Sequence, residues 1–190
     1  MNTPPPEDAE EKRVIERCIE GEWSQFRYIF DKYLEKVHSL ALRIVKNRES
    51  AADAAQESFI RVFRSLDRFD RRSSFSTWLY RITYNTALDY HRRERRKRER
   101  EAGPRERQKL DASHFEEIAR GEARDKLKAA VEALPVKLRA VVHLKYAEGL
   151  SYSEICVVTG CARGVLQKRL GQAEKKLRET LQREIAEWRG

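Results

Sequence analysis

Between Phe75 and Arg93 the sequence places Trp78, Tyr80, Arg81, Asn85, Arg92 and Arg93 within nineteen residues of helix-forming character. None of these is a nucleophile. Their chemistry is that of grip: flat rings stack on unpaired bases at roughly 1 to 3 kcal/mol per base, and guanidinium groups bond two phosphate oxygens at once. Positions three and four apart share a helix face, so Leu79, Ile82, Thr86 and Tyr90 form one stripe while Trp78, Arg81, Asn85 and Asp89 form another. One stripe is expected to pack inward, leaving the other for a strand with exposed bases. The plainer alternative is an ordinary amphipathic helix whose aromatic stripe is core and whose charges are solvated.

A second group of polar residues lies near the other end of the chain. Ser151-Tyr152-Ser153-Glu154 fits a capping box, in which a Ser oxygen and a Glu carboxylate satisfy free amides at a helix start. The short helix it opens runs to Thr159, Gly160-Cys161 makes a turn, and a basic helix begins at Ala162. This is a helix-turn-helix pattern. The first residues of its second helix, Arg163, Gln167 and Lys168, are of the types that reach base edges in a major groove. A plain helical hairpin is the alternative.

These segments must be held by the rest of the chain. Of 190 residues 37% are charged and 40% apolar, with 8 Gly, a balance that suits amphipathic helices rather than sheet. The fold class expected is all-α. The formal net charge of +9 implies a polyanionic partner, because basic surface gains free energy by displacing counterions from phosphates. No apolar run approaches the roughly 20 residues of a membrane span, and Met1 to Glu10 lacks the basic start and apolar centre of a signal peptide, so the cytoplasm is expected.

Apolar periodicity predicts helices over 9–20, 22–46 and 49–66, then a polar loop, Asp67 to Ser74, before the aromatic helix, which Ser74 or Ser76 would cap. From His91 the chain turns densely basic, and periodicity returns only near Ala119. The reading is a first domain over 1–94, a polar linker over 95–119 and a second domain over 120–190. In the second domain Pro135 separates a helix ending at Leu134 from one ending at Gly149. Cys18, Cys156 and Cys161 lack Cys-x-x-Cys spacing and read as buried free thiols, with a redox or metal role through Cys156, Cys161 and His143 as the alternative.

Taken together, these stretches resemble the extracytoplasmic-function group of the sigma-70 family of bacterial RNA polymerase sigma factors. Asp53-Ala-Ala-Gln-Glu57 with Phe59-Ile-Arg-Val-Phe63 is similar to the family's core-binding segment. Ser76-Thr-Trp-Leu-Tyr-Arg-Ile82 with Asn85-Thr86 is similar to its promoter-melting segment, and Leu150-Ser-Tyr-Ser-Glu-Ile155 with Gly164 and Arg169 to its region-four helix-turn-helix.

The resemblance implies a region 2 helical bundle and a region 4 domain on a linker threaded through the RNA exit path. It further implies a transcription initiation factor that assists promoter opening, without catalytic residues, cofactor or metal, and monomeric when free. The implied partners are core RNA polymerase, through its beta-prime clamp helices and its beta subunit, promoter DNA, and an anti-sigma factor that covers the polymerase-binding surfaces. On this reading Asp53, Gln56, Glu57 and Arg61 meet the polymerase. Arg71, Ser73, Ser74, Trp78, Tyr80, Arg81, Asn85, Arg92 and Arg93 handle the downstream element, where an extruded base must be repaid for a few kcal/mol of lost stacking and pairing. Ser151, Tyr152, Arg163, Gln167, Lys168, Arg169 and Lys175 serve the upstream element.

One departure alters the reading surface. Where family members commonly have Gly-Thr-Val, a basic residue, Ser and Arg, this chain has Gly164-Val165-Leu166-Gln167-Lys168-Arg169, and Gly171 follows inside the same helix. The family's preferred upstream sequence therefore does not transfer. An enzyme is disfavoured because no Gly-rich phosphate loop, metal-ligand spacing or activated nucleophile is present. An autonomous helix-turn-helix regulator would leave the block from Asp53 to Arg93 without a purpose.

Overall fold

The computed structural model describes residues 9–101 and 123–187, and among these residues the regular structure is entirely helical. The helices are α1 (Ala9–Ile19), α2 (Phe26–Val45), α3 (Arg48–Ser65), α4 (Phe75–Glu101), α5 (Ala123–Ala133), α6 (Val136–Val142), α7 (Tyr152–Thr159) and α8 (Arg163–Glu187). Short 3-10 turns precede α2 and follow α3, and α6 runs on into a π-helical turn over His143–Ala147.

Local chemistry sets most boundaries. Asn47 caps α3 by accepting the Ser50 amide at 2.9 Å, and Ser74 caps α4 by accepting the Thr77 amide at 3.2 Å. The capping box at α7 forms as its sequence suggests, with Ser151 Oγ accepting from the Glu154 amide and the Glu154 carboxylate from the Ser151 amide. Gly160 then closes α7 in the left-handed conformation, at φ +65°, a turn that any side chain would strain. Gly171 does not interrupt α8, which is continuous across it.

In the N-terminal unit α1 to α4 enclose a core of Ile29, Val37, Phe59, Val62, Leu66, Phe75 and Leu79. A chain of rings ties its far end, where Phe75 meets Tyr33, Phe69 and Trp78 at centroid separations of 5.8, 5.6 and 5.8 Å. Buried Glu11 anchors α1 through Tyr33 Oη, 2.8 Å, and Lys32 Nζ, 2.7 Å.

Two features lie across the expected domain outline. The start of the stretch read as linker from 95 is helical, and α4 continues to Glu101 because the charges alternate at helical spacing. Glu94 meets Arg98 at 3.7 Å, and Arg95 meets Glu99 at 3.2 Å. The rest of the expected linker, 102–119, lies outside the described residues. The other feature is a cluster shared between the two units. Leu40, Ala41 and Ile44 of α2 and Tyr80, Tyr84 and Ala87 of α4 pack into one cluster with Ala140, Val141, Leu144, Ile155, Val158 and Leu166 of the C-terminal unit.

Candidate polymerase and nucleic-acid surfaces

The α3 helix turns Ala51, Ala54, Ala55, Ser58, Phe59 and Val62 inward, which leaves Asp53 and Gln56 exposed and Glu57 and Arg61 partly so. Glu57 and Arg61 pair along the helix at 2.8 Å. One turn beyond, Phe63 is 40% exposed and lies against Trp23, 41% exposed, with ring centroids 4.3 Å apart. A polar strip thus runs into an uncovered aromatic pair, the kind of patch that marks an interaction surface. Phe63 closes the stretch that resembles the family's core-binding segment, whereas nothing in the sequence marked Trp23 as its partner.

The loop before α4 is tightly organised. Arg71 has a left-handed backbone, φ +57°, and pairs with Glu16 at 3.0 Å, so its guanidinium is tied to α1. Ser73 and Ser74 are half-buried, with Ser74 Oγ 2.8 Å from Thr77 Oγ1. Trp78 is also half-buried and belongs to the aromatic cluster, 5.2 Å from Phe69. Arg81, Asn85, Arg92 and Arg93 are exposed, Arg92 sharing Asp89 at 3.3 Å and Arg93 lying over the Tyr90 ring at 5.6 Å. These basic residues lie on the open side of α4, whereas Trp78, expected on the same stripe, packs against the core.

Tyr80 is different. It was expected on the nucleic-acid face, but it is only 2% exposed, and its hydroxyl donates to Glu148 of the C-terminal unit at 2.5 Å. Its position one residue before Arg81 turns it toward the stripe that the C-terminal unit covers. Thr77, fully buried, donates to Glu154 at 3.3 Å, so the capping box of α7 is wired to the cap of α4. His143 Nε2 lies 3.2 Å from the other Glu148 oxygen, at ion-pair distance but without an aligned hydrogen bond. Burial pushes the Glu148 carboxyl up, but pairing with His143 and Tyr80 overrides it and holds the group below its ordinary value. Nothing in the sequence marked Glu148 or Thr77.

Arg139 is the other buried tie. Its guanidinium donates to the carbonyls of Glu132 and Leu134, each at 2.8 Å, and across the units to those of Arg43 and Ile44 at the end of α2. Desolvation pushes it down to about 10, so it remains a cation at neutral pH. A cation is favoured at a helix C-terminus, where carbonyls lack partners.

On the helix-turn-helix, Arg163, Gln167 and Lys168 are exposed on the first turns of α8, and Tyr152 carries Lys145 and Arg163 over its ring at 5.2 and 5.9 Å. Lys175 is exposed further along, 3.8 Å from Glu179. Two of the expected contacts sit otherwise. Ser151 spends its hydroxyl on the cap, and Arg169 is half-buried, with Nη1 enclosed and unbonded among the described residues. The two differ from their neighbours for a local reason: one is the N-cap, and the other falls one turn after Leu166, on the buried side.

The residues that stay open support a specific expectation. Gln can pair with N6 and N7 of adenine, whereas Lys meets guanine acceptors or a phosphate. In the holoenzyme, Gln167→Ala is expected to relax selection at one position of a randomised upstream element by about 1 to 3 kcal/mol. Lys168→Ala should instead weaken all sequences alike and lower the salt slope. An unchanged base profile for Gln167→Ala would assign selectivity to DNA shape.

Among the described residues no helix is long and apolar enough to cross a membrane. Residues 29–97 match the family described as Sigma-70 region 2, and residues 124–177 match Sigma-70, region 4. The chain is 32% identical over 182 residues to the RNA polymerase sigma-H factor of Pseudomonas aeruginosa, an alignment covering 91% of this chain and 94% of that protein. It is 31% identical over 182 residues to the ECF RNA polymerase sigma-E factor of Escherichia coli, covering 89% and 93%. Among solved structures, CnrH in complex with the cytosolic domain of CnrY has the same fold, with a TM-score of 0.65 at 21% identity over 91% of this chain and 97% of that one. The sigma factor RpoE of Bartonella quintana, in complex with the anti-sigma factor NepR, gives 0.61 at 24% identity over 83% and 96%.

Proposed function

This chain belongs to the extracytoplasmic-function group of the sigma-70 family, and from that premise we propose how its surfaces divide the work of a transcription initiation factor that binds core RNA polymerase and directs it to promoters. The α3 strip of Asp53, Gln56, Glu57 and Arg61, extended by Phe63 and Trp23, meets the polymerase, at the clamp helices of its beta-prime subunit. The basic face of α4 with Ser73, Ser74 and Trp78 handles the separated strand of the downstream element. Arg163, Gln167 and Lys168 read the upstream element, while the C-terminal unit also touches the beta subunit. An anti-sigma factor is the proposed regulator, a reading supported by two proteins of the same fold whose structures hold CnrY and the anti-sigma factor NepR.

The observation that carries the polymerase assignment is that α3 has one face wholly committed to the core and the opposite face open and polar. Reversing charge there should not disturb packing. Asp53→Arg with Glu57→Arg is expected to weaken core polymerase affinity at least about tenfold while leaving the unfolding midpoint nearly unchanged. Titration of labelled protein with core polymerase measures this, and an unaltered affinity removes the strip from the interface. The rival, an autonomous regulator, binds its operator duplex without polymerase. A sigma factor needs the core enzyme for tight promoter binding, so the same titrations with and without core separate the two.

A further inference from the structure

The helix-turn-helix carries two cysteines that the proposed reading of the upstream element does not use. Cys156 stands in the last turn of α7, and Cys161 follows the left-handed Gly160, φ +65°, which folds the chain back on that turn. The two thiols meet there. Cys156 and Cys161 are hydrogen-bond partners, and both pack, half-buried, on the cluster shared by the two units. Thr159 Oγ1 lies 3.1 Å from Cys161 Sγ, so the same turn holds a hydroxyl on that sulfur. His143, the third group that the sequence offered for a metal, is turned to Glu148 instead, 3.2 Å away, and among the described residues no three metal-ligating side chains gather. What the fold assembles from the alternative is a dithiol.

Two thiols in contact and within reach of solvent support a chemistry that a sealed one does not. Cys18, 0% exposed in the N-terminal core, lacks the access. We propose that Cys156 and Cys161 are a peroxide-responsive pair, oxidised to a disulfide that closes across the turn and weakens recognition of the upstream element. The consequence for DNA rests on the reading that α8 reads that element, whereas the thiol chemistry does not.

Burial, and then the neighbouring Cys161 sulfur, push the Cys156 thiol up, so Cys161 is the first to react. Its thiolate attacks one peroxide oxygen, the O–O bond breaks, and the hydroxide that leaves takes up the proton Cys161 gave up, which makes Cys161 a sulfenic acid. The Cys156 sulfur then displaces the sulfenic hydroxyl, which departs as water with the Cys156 proton. Two thiols are oxidised and one peroxide is reduced to two waters. An S–S bond is about 2 Å long, far shorter than a hydrogen-bonded contact between two sulfurs, so Cys161 must move toward α7. Only Ala162 separates it from α8, whose first residue, Arg163, rests over the Tyr152 ring at 5.9 Å. The start of α8 therefore shifts, and a binding constellation tolerates displacements of only about 0.5 Å.

The test treats the full chain with hydrogen peroxide, removes the peroxide, and digests a portion with trypsin. Tyr146 to Arg163 is a single tryptic peptide that holds Cys156 and Cys161 and no other cysteine. It is expected to lose two hydrogens and to escape alkylation, while the Cys18 peptide stays reduced, and dithiothreitol should restore both thiols. Holoenzyme assembled from the oxidised chain should bind promoters about tenfold more weakly, the discrimination that one base-reading pair supplies, and reduction of the chain before assembly should restore binding. Cys156→Ser and Cys161→Ser should bind as the reduced chain does and ignore peroxide. If either loses its helical circular dichroism, Cys156→Ala or Cys161→Ala gives the reading. Two retained thiols in the 146–163 peptide overturn the inference, as does a disulfide that leaves promoter binding unchanged. Failure of the underlying reading looks different: holoenzyme of the reduced chain that ignores scrambling of the upstream element takes that element away from α8.

Discussion

Arg139→Ala is expected to lower stability by about 3 to 5 kcal/mol, the loss found when one partner of a buried charged arrangement is removed. Arg139 is 2% exposed, and its guanidinium serves four carbonyls, those of Glu132, Leu134, Arg43 and Ile44. Removing it leaves these acceptors enclosed at the ends of α5 and α2 without a donor, and it opens a cavity the size of a long side chain. Arg139→Lys retains the charge but presents one ammonium where a planar fork reached four oxygens, so it should recover only part of the loss. Urea unfolding of the three proteins measures this. A loss below about 1 kcal/mol for Arg139→Ala would mean that water replaces the guanidinium without cost and that Arg139 is no clamp.

Phe75→Ala is the other large effect, about 3 to 5 kcal/mol, from truncation of a fully buried aromatic ring. Phe75 opens α4 and has Tyr33, Phe69 and Trp78 around it, so its loss removes the common partner of three rings and the floor under the Ser73-Ser74 loop. Two consequences should appear together: a lower unfolding midpoint, and reduced promoter opening at temperatures where the protein is still folded. Permanganate reactivity of promoter thymines reports the second. Full opening beside a lowered midpoint would separate the loop from the ring cluster that underlies it.

How much of this was legible before the coordinates depends on what a sequence pattern can encode. Helical spacing located α2, α3 and α8, because a face buried against anything leaves the same periodic trace. The capping box of α7 was legible for the same reason: all its parts lie within four residues. The pattern does not say what a face packs against. The helix ending at Gly149 read as part of a separate domain, whereas its Ala140, Val141 and Leu144 share a cluster with residues of α2 and α4.

Long-range polar ties left no trace at all. Arg139 looks like any surface cation in a basic chain, and its burial follows from two helix ends that converge on it, that of α5, five and seven residues away in sequence, and that of α2, 95 and 96 residues away. Tyr80 was assigned to the nucleic-acid face because an aromatic ring with a polar tip suits either a stack or a buried hydrogen bond, and only the position of Glu148 decides between them. The extension of α4 through Glu101 was available in the alternation of Glu94, Arg95, Arg98 and Glu99, but a search for apolar periodicity passes over a helix held by charges.

The covalent continuity of the cluster shared between the two units has a thermodynamic corollary. Its two faces are parts of one molecule, joined by residues 102–122, and 21 residues span at most roughly 70 Å even when fully extended. Each face therefore meets the other at an effective concentration of millimolar order, whatever the concentration of the protein itself. A contact with an intrinsic dissociation constant near about 10 μM, too weak to assemble two separate proteins at cellular levels, would keep on the order of 99% of single chains closed. Dilution cannot open such a molecule, but a competitor with several simultaneous footholds can. A polymerase that engages α3 and the C-terminal unit at different points of its own surface, as proposed, would exchange one tether for another.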